Sequence, residues 1–288
     1  MGTLLFVYGE LLSTEPQHNA FLSGIERKVE QAWTKGTLYK TVADVPAMVE
    51  GTGFVYGEIY EVSDTILRRI DEWAENRKSS NGHLYLRETL EVYTDKGSFQ
   101  AQVYVFSDKS KRQCREVVPF QDWKVAQYLT NKDLYLYFAY GSCMDHERFR
   151  LAGVDHGFQV CIGRGTKHHY ALKFTMKGEN GNAADIVEGD QNVEGKLYEI
   201  NEDTLNYLFI REGVEAGHYR PSIVDIENEK GERVQALTFI VIDKQPEGRP
   251  TELYVTEILR GGKETLSSTY WEALRNRINK QFNMDIHP

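Results

Sequence analysis

The chain repeats itself. Leu5-Phe6-Val7-Tyr8-Gly9-Glu10-Leu11-Leu12 returns as Tyr137-Phe138-Ala139-Tyr140-Gly141-Ser142-Cys143-Met144, an apolar run stopping at a Tyr-Gly turn, 132 residues on. A second echo keeps the order: Gly57-Glu58-Ile59-Tyr60-Glu61-Val62 is matched by Gly195-Lys196-Leu197-Tyr198-Glu199-Ile200, 138 residues on. Two echoes at nearly one offset make the protein two copies of one folding unit. Any difference between the copies then becomes informative. The polar stretch Thr130-Asn131-Lys132-Asp133 precedes the second Tyr-Gly element. It divides the 288 residues into domains 1–131 and 132–288, each large enough for its own core.

Strands outnumber helices in the pattern. Leu4–Val7, Trp33–Tyr39, Val55–Val62, Tyr85–Tyr93 and Ala101–Phe106 read as strands of the first unit, with a helix from Ser63 or Asp64 to about Trp73. A helix carrying Trp123, Ala126 and Leu129 closes it. The second unit repeats this with strands at Leu134–Tyr140, Tyr170–Phe174, Gly195–Ile200, Tyr219–Ile226 and Val234–Ile242. Its helices fall at Asp145–Leu151, Asp203–Arg211, around Val255–Leu259, and from about Ser267 to Ile278. Few βαβ units are visible, so the fold class is α+β, each domain a small mixed β-barrel or strongly curved sheet with flanking helices.

Composition narrows the partners. A net charge of −9 argues against nucleic acid or an anionic membrane, since phosphate binding needs a basic face. Three scattered cysteines, Cys114, Cys143 and Cys161, offer neither a disulfide framework nor a metal site, and suit a reducing, cytoplasmic compartment. The apolar run Leu4–Tyr8 is too short for a signal peptide or a spanning segment, and Phe6 stands where a myristoylation signal needs Ser or Thr. His168 and His169 point to opposite faces if they lie in a strand, so neither a shared metal nor any metal site is expected.

One residue breaks the hydrophobic logic. Leu205, Leu208, Phe209 and Glu212 share a helix face at i, i+3, i+4 and i+7, the face that should meet the core. A carboxylate there needs a partner or a raised pKa. Gly213 follows as a natural helix stop, which leaves Glu212 pointing inward beside a turn. The plain alternative is a half-buried Glu bonded to backbone. In the first unit, aligning Leu67 with Leu205 and Ile70 with Leu208 sets Ala74 opposite Glu212. The nearest acid, Glu75, is rotated about 100° around the helix. The first unit therefore lacks the inward acid. The Tyr-Gly turn exposes successive backbone N–H groups, which can receive a carboxylate or an oxyanion.

With these residues in view, Leu136–Ser142, Glu212-Gly213-Val214 with Gly217 and Tyr219, Tyr254, and Gly261-Gly262 resemble the gamma-glutamylcyclotransferase family over most of residues 134–280. The first unit is similar to the related gamma-glutamylamine cyclotransferase-like branch through Val7–Leu11, Gly57–Tyr60, Ile70-Asp71 and Tyr85-Leu86-Arg87. The tandem arrangement resembles that of two-domain bacterial members. The resemblance implies release of 5-oxoproline from a small gamma-glutamyl substrate whose own α-amine attacks the γ-carbonyl, with no cofactor. It implies Glu212 as general base and Tyr140, Gly141, Ser142, Cys143, Tyr219 and Tyr254 as substrate-binding residues. A second pocket is expected around Tyr8, Gly9, Glu10, Leu11 and Glu75. The family usually carries Asn where this chain has Cys143, which loses an amide donor and acceptor. Two rivals follow. One is a module that binds gamma-glutamyl compounds without turnover. The other is acyl transfer by Cys143 with His146 as its base. Neither the leaving group nor the oligomeric state is legible.

Overall fold

The computed structural model describes residues 2–79, 82–130 and 132–288, the side chains of 78, 79, 82 and 83 excepted. Asn131, inside the expected linker, lies outside the described residues. The chain separates into two compact units, Met1–Tyr128 and Leu129–Pro288.

Unit one contains β1 (Thr3–Val7), α1 (Pro16–Phe21), β2 (Arg27–Thr41), β3 (Pro46–Val62) and α2 (Asp64–Glu75). The small β4 (Lys78–Ser79) and β5 (Gly82–His83) precede β6 (Tyr85–Thr94), β7 (Gly97–Phe106), β8 (Cys114–Val117) and α3 (Trp123–Leu129). Five strands close into a ring, β2-β3-β1-β7-β6 and back to β2, with β8 added beside β2. All pairs in the ring are antiparallel except β1 with β7.

Unit two contains β9 (Tyr135–Ala139), α4 (His146–Leu151), β10 (Val160–Met176), β11 (Ala183–Ile200) and α5 (Glu202–Arg211). After these come β12 (Tyr219–Asn228), β13 (Arg233–Val241), α6 (Glu252–Gly262) and α7 (Ser268–Phe282). Its barrel closes in the matching order, β10-β11-β9-β13-β12, again with one parallel pair, β9 with β13. The fold is α+β, as the pattern of strands and helices indicated.

The repeated glycines have a steric cause. A Cβ at Gly57 would fall onto the Val7 carbonyl and within 2.8 Å of the Phe6 ring. At Gly195 it would fall onto the Ala139 carbonyl and within 2.7 Å of the Phe138 ring. Phe6 and Phe138 are fully buried, so in both units the third strand must pass glycine-thin over the aromatic anchor of the first.

The barrel strands run beyond their sequence signals. β2 extends past both ends of Trp33–Tyr39, and β10 reaches far outside Tyr170–Phe174. Register shifts explain why. β10 breaks step with β11 between Cys161 and Gly163, between His168 and Tyr170, and between Lys173 and Met176. Each shift bends the strand around the barrel and resets the inside–outside alternation. His169, at φ 62°, sits in one of them. The exposed His168 bonds Asn192 Oδ1 and Glu227 Oε2, each at 3.1 Å.

Candidate active site

The inward acid is set in place by the end of α5. Asn201 caps the helix start by accepting from Thr204 N, while Leu205 and Leu208 anchor its buried face. At the other end Gly213 takes φ 61°, Gly213 N bonds Ile210 O at 3.1 Å, and Val214 N bonds Phe209 O at 3.0 Å. That pair of bonds is a Schellman closure, with Glu212 as the last near-helical residue. Its side chain projects into a cavity of about 180 Å³.

The cavity gathers Tyr140, Gly141, Ser142, Cys143, Glu212, Tyr219 and Tyr254, drawn from the Tyr-Gly turn, α5, β12 and α6. A one-turn 3₁₀ helix, Ser142–Met144, follows Gly141, and its opening N–H groups have no partner within the turn. Gly261 lets α6 lie directly on this turn, because a Cβ there would stand 2.5 Å from the Asp145 nitrogen. Tyr140 donates from its hydroxyl to Phe239 O at 2.5 Å, and Tyr219 donates to Ala184 O at 2.7 Å. Tyr254 Oη accepts from Ala184 N at 3.1 Å. Burial raises the pKa of all three phenols, that of Tyr254 to about 12.

Several wall residues were given no role by the sequence reading. Arg211 sends Nε to Cys143 Sγ at 3.1 Å and Nη2 to Ser142 Oγ at 3.1 Å, and it faces Glu212 Oε1 at 3.6 Å. Arg148 from α4 and Tyr137 from β9 complete the polar lining. Charged residues one turn from a helix end are too common for their spacing to announce such a role. Among the described residues no group of three or more His, Cys, Asp or Glu side chains is placed to hold a metal.

The electrostatics separate two chemistries. Burial pushes the Glu212 pKa above its ordinary value, against the opposing pull of Arg211, the Cys143 hydrogen bond and Arg148. Burial likewise lifts the Cys143 thiol to about 11, with Arg211 opposing. The thiol hydrogen-bonds Glu212 Oε1 at 3.4 Å, so it is a neutral donor to the acid. His146 is exposed while Cys143 is 5% exposed, and the acidic group beside the sulfur is Glu212. The Cys143–His146 pair is therefore not assembled.

Unit one keeps the frame and loses the site. Tyr8 donates to Tyr104 O at 2.5 Å and Tyr85 donates to Pro46 O at 2.9 Å, the counterparts of Tyr140 and Tyr219. Tyr8, Gly9, Glu10 and Leu11 line a cavity of about 40 Å³. Glu75, grouped with them on sequence grounds, does not line it. Without a glycine after Ala74, α2 runs on through Glu75 and turns that side chain out to solvent. Ala74 is buried where the acid would stand. Glu10 is paired with Arg77, which stacks on Trp73, and Pro46 crowds Gly9 where Ala184 leaves room beside Gly141.

Comparison with known proteins fits this picture. Residues 5–125 match the family Gamma-glutamyl cyclotransferase, AIG2-like, and residues 192–274 match the AIG2-like family. YkqA of Bacillus subtilis, provisionally named a gamma-glutamylcyclotransferase, is 38% identical over 97% of this chain and 98% of its own length. Its crystal structure superposes with a TM-score of 0.86 over the same shares. The human gamma-glutamylcyclotransferase is 29% identical over 50% of this chain and 79% of its own. By its tandem matches and its full-length likeness to YkqA, this chain belongs to the AIG2-like gamma-glutamyl cyclotransferase family.

Proposed function

We propose that unit two cyclises gamma-glutamyl compounds, releasing 5-oxoproline and an amine. The observation that carries this reading is the half-buried Glu212, its pKa raised, in the cavity that also holds the Tyr-Gly-Ser turn. Nucleophile and electrophile belong to one substrate, so a cavity that holds it bent removes much of the entropic barrier. Glu212 takes a proton from the α-amine as its nitrogen bonds to the γ-carbon. It returns that proton to the departing nitrogen as the amide C–N bond breaks. Backbone N–H groups from Gly141 to Cys143 receive the α-carboxylate or the tetrahedral oxyanion, and Tyr140, Tyr219 and Tyr254 position the bent chain. Unit one, with Ala74 at the acid position, serves as a structural or regulatory partner.

The test is 5-oxoproline release across a panel of gamma-glutamyl amino acids, peptides and amines. Glu212→Gln should lower turnover by roughly 10²–10⁴, the span of a general base. Undiminished release by the folded variant sinks the reading. A second reading, a binding module without turnover, draws on Arg211, whose charge 3.6 Å from Glu212 opposes proton uptake. Calorimetric binding without product for every compound would favour it.

A further inference from the structure

The barrel of unit one does not close along its whole height. β6 pairs with β7 from Tyr85 to Thr94, but on its other edge it meets β2 only where Val92, Tyr93 and Thr94 face Thr34, Trp33 and Ala32. Beyond Thr34 the two strands part. β2 breaks step with β3 between Lys35 and Thr37 and bends away to join β8 at Tyr39. Gly51 lets β3 follow that bend, because a Cβ there would stand 2.2 Å from Thr37 Oγ1. Among the described residues no strand pairs with the second edge of β6 from Leu86 to Leu90. A groove of about 620 Å³ occupies the gap, floored by the buried Met48 and Phe106.

An unpaired edge offers backbone N–H and C=O groups that take an extended chain as a further strand. The side chains beside it say which chain. Leu86, Glu88 and Leu90 alternate on one face, opposite Val105, Val103 and Ala101 of β7. Val103 and Ala101 are buried, so this is the core side of the sheet, yet Glu88 lies on it, exposed in the groove together with Glu50. An inward charge keeps unselected strands off an edge. It admits a strand that brings a cation between two apolar residues, since directly opposed side chains interact as pairs. Lys35 borders the junction of β2 with β6, and Lys109 follows Phe106, the partner of Tyr85, so cations mark the two ends of the groove. Asp108 at the second end is already paired with Lys111.

We propose that this groove binds an extended peptide segment of a partner protein as an added strand on β6, with a basic residue between two apolar ones at alternate positions and acidic residues flanking them. The test is fluorescence anisotropy of the full chain with the labelled peptide Ser-Asp-Val-Thr-Lys-Thr-Val-Asp-Ser. Saturable binding is expected, with a Kd on the order of 0.1 mM or tighter. Changing the central Lys of the peptide to Glu should weaken it about 10-fold or more, as attraction becomes repulsion. Glu88→Lys should reverse that preference, and Leu86→Asp should abolish binding of both peptides. Both residues are exposed, and thermal melts should show the variants folded. N-methylation separates strand addition from surface charge, because only alternate peptide nitrogens face β6. One alternating set of methyl groups should abolish binding and the other should leave it within about 3-fold. No binding up to about 1 mM, a preference that Glu88→Lys leaves unchanged, or equal effects of the two methylated sets overturns the proposal. Sedimentation of the chain alone should be unaltered by Leu86→Asp; a self-association that this change removes assigns the groove to a second copy and overturns the proposal as well.

Discussion

A carboxylate kept for chemistry should destabilise the protein that carries it, and Glu212 allows that to be measured. Arg211 at 3.6 Å attracts the ionised carboxylate by on the order of 4 kcal/mol at an effective dielectric of 20. Desolvation of a buried ion is several kcal/mol in the other direction. The pKa is raised, so burial wins. The folded protein therefore binds Glu212's proton more tightly than the unfolded chain does. Stability falls as pH climbs from the ordinary value of 4.5 to the folded value, and is level above it. Each unit of upward displacement removes about 1.4 kcal/mol at neutral pH. Glu212→Gln keeps the shape and an acceptor for the Cys143 thiol but has no charge to desolvate. Urea unfolding should show the two proteins equal near about pH 4 and the variant more stable near about pH 8, on the side where an ordinary carboxylate is ionised. Gain of stability with loss of turnover is the signature of a functional group held against its preference. A variant less stable than wild type by about 1 kcal/mol or more near about pH 8 would mean that the carboxylate is a structural strut, and the argument from burial would be refuted.

Three further outcomes follow from the geometry. Cys143→Ala should retain turnover within about 10-fold, because the thiol is a donor to Glu212 and not the nucleophile, and a loss matching that of Glu212→Gln would restore the thiol mechanism. Alkylation near about pH 8 should modify the exposed Cys161 well before the buried Cys143, whose thiol is raised to about 11, as peptide mapping after timed quenching would read. Gly57→Ala and Gly195→Ala should each destabilise their own unit by about 1–3 kcal/mol, since a methyl group lands on a backbone carbonyl and a buried ring; a change under about 0.5 kcal/mol in chemical denaturation would contradict that packing.

What the sequence made legible was local. The Tyr-Gly echoes located both first strands, and the face shared by Leu205, Leu208 and Glu212, with Gly213 behind it, located the acid. What it hid depended on distance or on irregular backbone. Arg148 and Arg211 reach the cavity from separate helices, and no spacing in the chain joins them to Tyr140. Most of β10 was invisible because its bulges interrupt the period-two alternation. Glu75 lies off the inward face, as its rotation of about 100° from Ala74 indicated, and only its grouping with the second pocket fails, because α2 continues through it and leaves it exposed.

The hydrogen bonds of Tyr140 and Tyr219 also fix the polarity of the cavity. A phenol has one proton, and these two send theirs to the carbonyls of Phe239 and Ala184. Toward the interior each then offers lone pairs alone. These two oxygens can accept from an N–H but have no proton left to offer an anion. Because Tyr8 and Tyr85 point their protons the same way, this one-sidedness comes with the barrel, whether or not an acid is present to use it.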